Sequence, residues 1–188
     1  MSVGRKVLLF IALAATTNVV TVALLPHLIN RVVMHKIVKQ ALGHSPRAEV
    51  IERGGYNVAL PAPRATAEAR TIVRPSPDML YTACVFDISG RPLHVTAPVQ
   101  DSYVSVSGFD AKTNNFFAVN DSAVVPGADG LKRFDLVIAR TEITVPPGAK
   151  LIVAPTDRGL ILFRSLVTRE EKLSALLQFQ KQQDCRPL

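Results

Sequence analysis

Hydrophobic and polar positions divide the chain into three textures. Residues 7 to 25, VLLFIALAATTNVVTVALL, run for 19 positions without a charge. That is close to the roughly 20 apolar residues a helix needs to cross about 30 Å of hydrocarbon. Arg5 and Lys6 precede the run, and Arg31, Lys36 and Lys39 follow it, the flanking expected of a membrane span or a signal. Ala12-Leu13-Ala14 has the small-x-small pattern of a peptidase site, but only about six apolar residues precede it, short of a cleaved signal's apolar region. The pattern predicts an uncleaved transmembrane anchor over residues 1–25. Among its polar residues, Thr16, Thr17 and Thr21 can bond back to their own helix carbonyls, whereas Asn18 seeks a partner helix or is simply tolerated.

The second texture covers residues 26–66. HLINRVVMHKIVKQAL places Leu28, Val32, Ile37 and Leu42 near one helical face, and Gly43 ends it, so the pattern predicts a short amphipathic helix after Pro26. Two placements stay open for it: along the membrane surface, or packed under a globular domain. Residues 43 to 66 carry three prolines and three glycines, which break helix and strand alike and mark a linker with a turn at Gly54-Gly55-Tyr56-Asn57.

From about residue 70 short β-branched runs alternate with Pro, Gly, Asn and Asp, the texture of antiparallel sheet. Strands are expected at 71–73, 80–87, 93–97, 103–109, 115–119, 134–139, 151–154 and 159–167. In YVSVSGF the alternation sets Tyr103, Ser105 and Ser107 opposite Val104 and Val106, as in a strand with one wet face. Residues 168–184 read as the one sizeable helix of this region, opened by a Thr168/Glu171 capping box and carrying Leu173, Leu176, Leu177 and Phe179. The expected fold over residues 67–188 is mainly β: an antiparallel β-sandwich or partly closed barrel with a C-terminal helix, preceded by the transmembrane helix.

Composition sharpens this picture at two points. Apolar residues make up 48% of 188 residues and mean hydropathy is +0.22, high for a chain that lives wholly in water. The net charge of +7 is spread over many loops, so no nucleic-acid partner is expected, and anionic lipid headgroups account for the positive balance. Basic residues on both sides of the span leave its orientation unsettled. A large translocated domain crosses largely regardless of its charge, which favours an extracytoplasmic domain. Cys84 sits in a predicted strand and Cys185 near the C-terminus; a disulfide between them is open, since sequence does not say how near their Cα atoms come.

Familiar chemistry is sparse. The chain has no phosphate-binding glycine loop, no G-x-S-x-G elbow and no H-E-x-x-H. Three of its four histidines, His27, His35 and His44, fall outside the β region, leaving His94. No metal and no cofactor are expected. What remains is a polar set: Arg74, Asp78, Tyr81, Asp87, Asp110, Asn114, Asn115 and Arg164. Asp78, in PSPD, reads as a turn residue or cap. Arg164 interrupts the apolar run LILFRSLV, where a buried guanidinium needs a carboxylate, which Asp78 or Asp87 could supply. Two readings follow: a structural ion pair, or an anion-binding site built on Arg74 and Arg164. Candidate ligand-binding residues are Arg74, Asp78, Tyr81, Asp110, Asn114 and Arg164.

Arg74-Pro75-Ser76-Pro77-Asp78-Met79-Leu80-Tyr81, then Phe86-Asp87-Ile88-Ser89-Gly90 and Pro92-Leu93, resemble the R-P-N-x-D-T-x-Y, D-L-S, P-L pattern of the bacterial family called domain of unknown function 1254. Tyr103-Val104-Ser105-Val106, Asp110-Ala111-Lys112-Thr113-Asn114, Arg158-Gly159 and Leu162-Phe163-Arg164 continue the likeness in order. It spans roughly residues 54 to 167. Ser76 and Met79 depart from the pattern's Asn and Thr. The second domain of the larger members, of unknown function 1214, is missing from this sequence, so the chain looks like the small membrane-anchored branch, with that domain expected on a separate protein. The resemblance implies a β-rich fold and no established reaction. The functional expectation is a single-pass inner-membrane protein displaying a periplasmic module that binds a ligand or an envelope partner; the alternative is a hydrolase-like enzyme with a site around Asp78, Tyr81 and Arg164.

Overall fold

A computed structural model describes residues 2–44, 52–66, 75–100, 102–127 and 130–188. Arg74 and the strand expected at 71–73 lie outside these residues.

The apolar run and the amphipathic segment form one helix, α1, Val3–His44, which continues through Pro26. The amphipathic stripe is therefore not a separate helix, and it faces a different way from the one its spacing suggested. Leu28, Val32 and Leu42 are exposed, while Asn30 and Val38 are buried, with Pro26, Met34 and Ile37 part-buried beside them. Those five positions recur at helical spacing and form the face turned to the globular part. Among the described residues α1 is the one helix long and apolar enough to cross a membrane.

Nine strands follow among the described residues: β1 Leu60–Pro61, β2 Met79–Asp87, β3 Leu93–Pro98, β4 Val104–Asp110, β5 Asn115–Asn120, β6 Arg133–Ala139, β7 Lys150–Val153, β8 Arg158–Leu166 and β9 Asp184–Pro187. They make a five-stranded sheet ordered β1-β2-β8-β4-β5 and a four-stranded sheet ordered β7-β6-β3-β9. All pairings are antiparallel except β6 with β7, which run parallel. The result is a sandwich and not a closed barrel. Its core interleaves Phe86, Val104, Val106, Ile161 and Phe163 from the first sheet with Leu93, Val95, Phe134, Leu136 and Ile138 from the second, the inward halves of alternating strands.

Several expectations change here. Ser105 and Ser107 do not line a wet face, since both serines are buried. The C-terminal helix is shorter than 168–184. A 3-10 turn at Glu170–Lys172 leads into α2, Leu173–Gln180, and the chain then leaves the helix to form β9. Neither helical start carries a side-chain cap, so the Thr168/Glu171 capping box is not formed. The leucine stripe does dock as expected, with Leu176 packed on Leu80 and Val167. Cys84 on β2 and Cys185 on β9 are joined in a disulfide, their Cα atoms 6.5 Å apart. It ties one sheet to the other.

Candidate functional site

The polar residues singled out in the sequence separate to two ends of the five-stranded sheet. On β8 the partner of Tyr81 is Arg164 and the partner of Asp110 is Gly159. Five residues of extended strand, roughly 17 Å, lie between these two levels.

At the first end, Tyr81, Arg164 and Ser105 stand in register across β2, β8 and β4. Strand alternation puts all three on the outer face, away from the sandwich core. Arg164 is half-buried, and among the described residues it makes no ion pair; the Asp78 or Asp87 partner expected for it is not found. Asp87 instead pairs with Arg158, Nε to Oδ2 at 2.7 Å. Asp78 is exposed in the turn before β2 and serves that turn through its backbone. Its carbonyl accepts the Val167 N–H at 2.8 Å, and its N–H donates to Ser76 Oγ at 3.3 Å. The Tyr81 hydroxyl accepts the Ser76 N–H at 3.1 Å. Next to Arg164, the Ser105 and Ser107 hydroxyls are buried without a hydrogen-bond partner among the described residues. Buried hydroxyls are ordinarily paired. The group this row can offer to an anion is the half-buried Arg164 guanidinium.

At the opposite end the charges are consumed within the fold. The Asp87 carboxylate accepts from Ser89 N–H at 3.0 Å, from the Ser89 hydroxyl at 2.7 Å and from Arg158. Burial alone raises its pKa, but the Ser89 donors and the Arg158 guanidinium outweigh burial and hold it below the usual carboxylate range. Arg158 stacks over the Tyr56 ring at 5.5 Å, and its own pKa is raised, chiefly by the hydrogen bond to Asp87. Asn57, in a left-handed conformation, clasps the same strand end through both side-chain atoms: Nδ2 donates to the Asp87 carbonyl and Oδ1 accepts the Asp87 N–H, each at 2.8 Å.

Asp110 and Asn114 belong to this end, where they close the β4–β5 turn. Asp110 Oδ1 accepts the N–H groups of Lys112 and Asn114, both at 2.8 Å, and Oδ2 accepts Asn114 Nδ2 at 2.9 Å. Burial raises the Asp110 pKa, and the Asn114 and Lys112 donors more than reverse it. The turn holds Thr113 at φ 71°, a conformation that β-branched residues avoid. The Asp110 carbonyl also accepts Asn30 Nδ2 of α1 at 2.9 Å.

Thus the structure brings Tyr81 and Arg164 together, and Asp110 and Asn114 together, but not the two pairs; Asp78 sits near the first pair, and Arg74 falls outside the described residues. A cleft of about 430 Å³ opens between α2 and the β3–β4 connection, lined by Val99, Gln100, Ser102, Lys172, Leu176 and Phe179 among others, and none of the candidate site residues lines it. Asn30 and Asn57 were missed as structural anchors. The only sequence signal for Asn57 was its place in the Gly-Gly-Tyr-Asn turn, and for Asn30 its place opposite the apolar positions of the helix.

A β-sandwich of two sheets, an apolar N-terminal helix and strand ends fixed by Asp–Arg and Asp–Asn contacts define the class of protein. The family model "Protein of unknown function (DUF1254)" matches residues 56–187, and the chain belongs to that family. Among solved structures, the chain is similar to the VPA0106 protein of Vibrio parahaemolyticus, with a TM-score of 0.54 and 15% identity over 87% of this chain and 37% of that one. It is also similar to a putative uncharacterized protein from Burkholderia cenocepacia, with a TM-score of 0.47 and 17% identity over 74% of this chain and 36% of that one. The chain thus spans little more than a third of the length of each solved relative. No curated protein sequence matches it.

Proposed function

We propose that the chain is a single-pass membrane protein whose α1 anchors the β-sandwich on the periplasmic face of a bacterial inner membrane, where the sandwich binds a ligand or an envelope partner. The observation that carries this reading is the state of α1 itself. The side chains of its first 23 residues, up to Leu25, are all exposed, including Leu8, Phe10, Leu13, Val19 and Leu24. In water such a surface costs roughly 25 cal/mol per Å² of apolar area. Lipid removes that cost. The one hydroxyl bond in the span is internal, Thr16 Oγ1 to the Ala12 carbonyl at 2.9 Å, as hydrocarbon requires.

The side of the membrane rests on the Cys84–Cys185 pair, since structural disulfides persist in oxidising compartments. The binding role rests on Arg164, which stands on the outer face beside Tyr81, half-buried and without an ion pair among the described residues. A separate protein carrying the domain of unknown function 1214 is the partner the family resemblance suggests. The reading is tested by washing bacterial membranes with alkaline carbonate: the intact chain stays in the membrane pellet. Intact chain in the wash overturns the anchor.

A further inference from the structure

Two contacts give the path of α1 over the five-stranded sheet. Asn30 bonds to Asp110 at the end of β4. Eight residues on, the Val38 carbonyl and side chain lie against Gly55, where a Cβ would come within 2.9 Å of that carbonyl. Gly55 belongs to the turn that Asn57 fastens to β2, through its N–H to the Val85 carbonyl at 2.8 Å. Eight helical residues rise about 12 Å, and the step from β4 across β8 to β2 is about 10 Å. The helix therefore crosses the strands from β4 towards β2. In the order β2-β8-β4-β5, its apolar N-terminal part leaves the sheet on the β5 side.

From this path we infer that the β5 edge of the sandwich, with the turn before it and the connection after it, lies on the lipid headgroup layer of the membrane that holds α1. The inference rests on the anchor reading above. Leu25, the last residue of the uncharged run, is five residues from Asn30, about 7.5 Å along the axis. β5 is one strand, about 4.8 Å, beyond β4 in the same direction. A headgroup layer is roughly 5–7 Å deep on each side of the hydrocarbon, so β5 falls at its level.

The chemistry of this edge agrees. Edge strands facing water often carry charges or prolines against unwanted pairing; β5 reads Asn-Phe-Phe-Ala-Val-Asn, with no charge and no proline, and its one irregularity is a register shift that leaves Phe116 unmatched against β4. Phe116 and Phe117 are only part-buried and Ala118 is exposed. The connection after β5 exposes Val125 at 81% and Leu131 at 61%, the two most exposed large apolar residues outside α1 among those described. Exposed Lys112 tips the turn. Among the described residues of the β5 strand and the connection after it, the acid is Asp121, which turns inward to accept the Val104 N–H at 3.3 Å. On α1 the exposed Leu28, Ile29, Val32 and Val33 extend the apolar surface past the span. Aromatic, aliphatic and lysine side chains together are the composition of a membrane–water boundary.

The chain contains no tryptophan, so one introduced tryptophan reports its own depth. Full-length Ala118→Trp, Val125→Trp and, as a control at the far end, Ser174→Trp are reconstituted into phosphatidylethanolamine–phosphatidylglycerol vesicles with a nitroxide on the headgroup or high on the acyl chain. Nitroxide lipid quenches most of the emission at positions 118 and 125 and leaves position 174 unchanged. Should Ala118→Trp misfold, Val125→Trp in the exposed connection gives the same reading. Chain that pellets in carbonate yet shows no quenching at 118 and 125 overturns the inference while leaving the anchor intact, as does equal quenching at all three sites. Shielding at 118 without quenching, accompanied by cross-linked dimers, assigns the edge to a second copy instead and equally overturns it.

Discussion

Asp87 on β2 and Asp110 on β4 sit at the same end of the five-stranded sheet, each accepting more than one local donor, and both titrate below the ordinary carboxylate value of 3.8. A carboxyl with a depressed folded-state pKa contributes stability above its unfolded value and loses it as pH falls through the folded value. Stability is therefore expected to hold from neutral pH down to about 4 and to decline below it. A urea titration repeated between pH 6 and 2.5 checks this: Asp87→Asn and Asp110→Asn each flatten the acid decline, and Asp110→Asn also costs about 1–3 kcal/mol at pH 7, because the Lys112 and Asn114 donors lose a charged acceptor. At this scale the sequence was only partly informative. Asp110 and Asn114 stood together in the stretch that resembles the family's D-x-x-T-N. The partner of Asp87 could not be read, since Arg158 and Arg164 lie on one face of one strand, and only the register decides which of them reaches the carboxylate.

The strands show what pattern reading captures and what it loses. Seven strands fall within a residue of their expected bounds, because β-branched runs between Pro, Gly and Asn leave little choice of position. The short pairings β1 and β9 went unread, having only two and four residues and no run of their own. The burial of Ser105 and Ser107 was also hidden, since alternation tells which face a serine is on but not whether that face is covered. Gly159 explains part of the Arg-Gly motif. A Cβ there would strike the Phe109 carbonyl oxygen and come within 2.6 Å of Phe86 Cζ. Gly159→Ala is accordingly expected to destabilise the domain by about 3 kcal/mol or more in chemical denaturation, through overpacking at a buried strand crossing.

For the molecule as a whole, the separation of a greasy helix from a β-rich remainder was plain in the chain. What the pattern missed was that α1 runs unbroken past Pro26; of the two placements left open for its second half, packing against the globular part is the one seen, through Asn30 and Val38. The cross-link between Cys84 and Cys185 closes a stretch of 101 residues. By the chain-entropy model a loop of that length is worth up to about 4–5 kcal/mol, so a paired Cys84→Ser and Cys185→Ser variant melts at a lower urea concentration by that order.

The same bridge has a bearing on how the protein meets proteases. A cut anywhere between residues 85 and 184 severs the polypeptide but not the molecule, since the two fragments stay covalently joined through sulfur. The clipped protein keeps its mass until a reductant is added, and its C-terminal fragment remains as firmly attached to α1 as before.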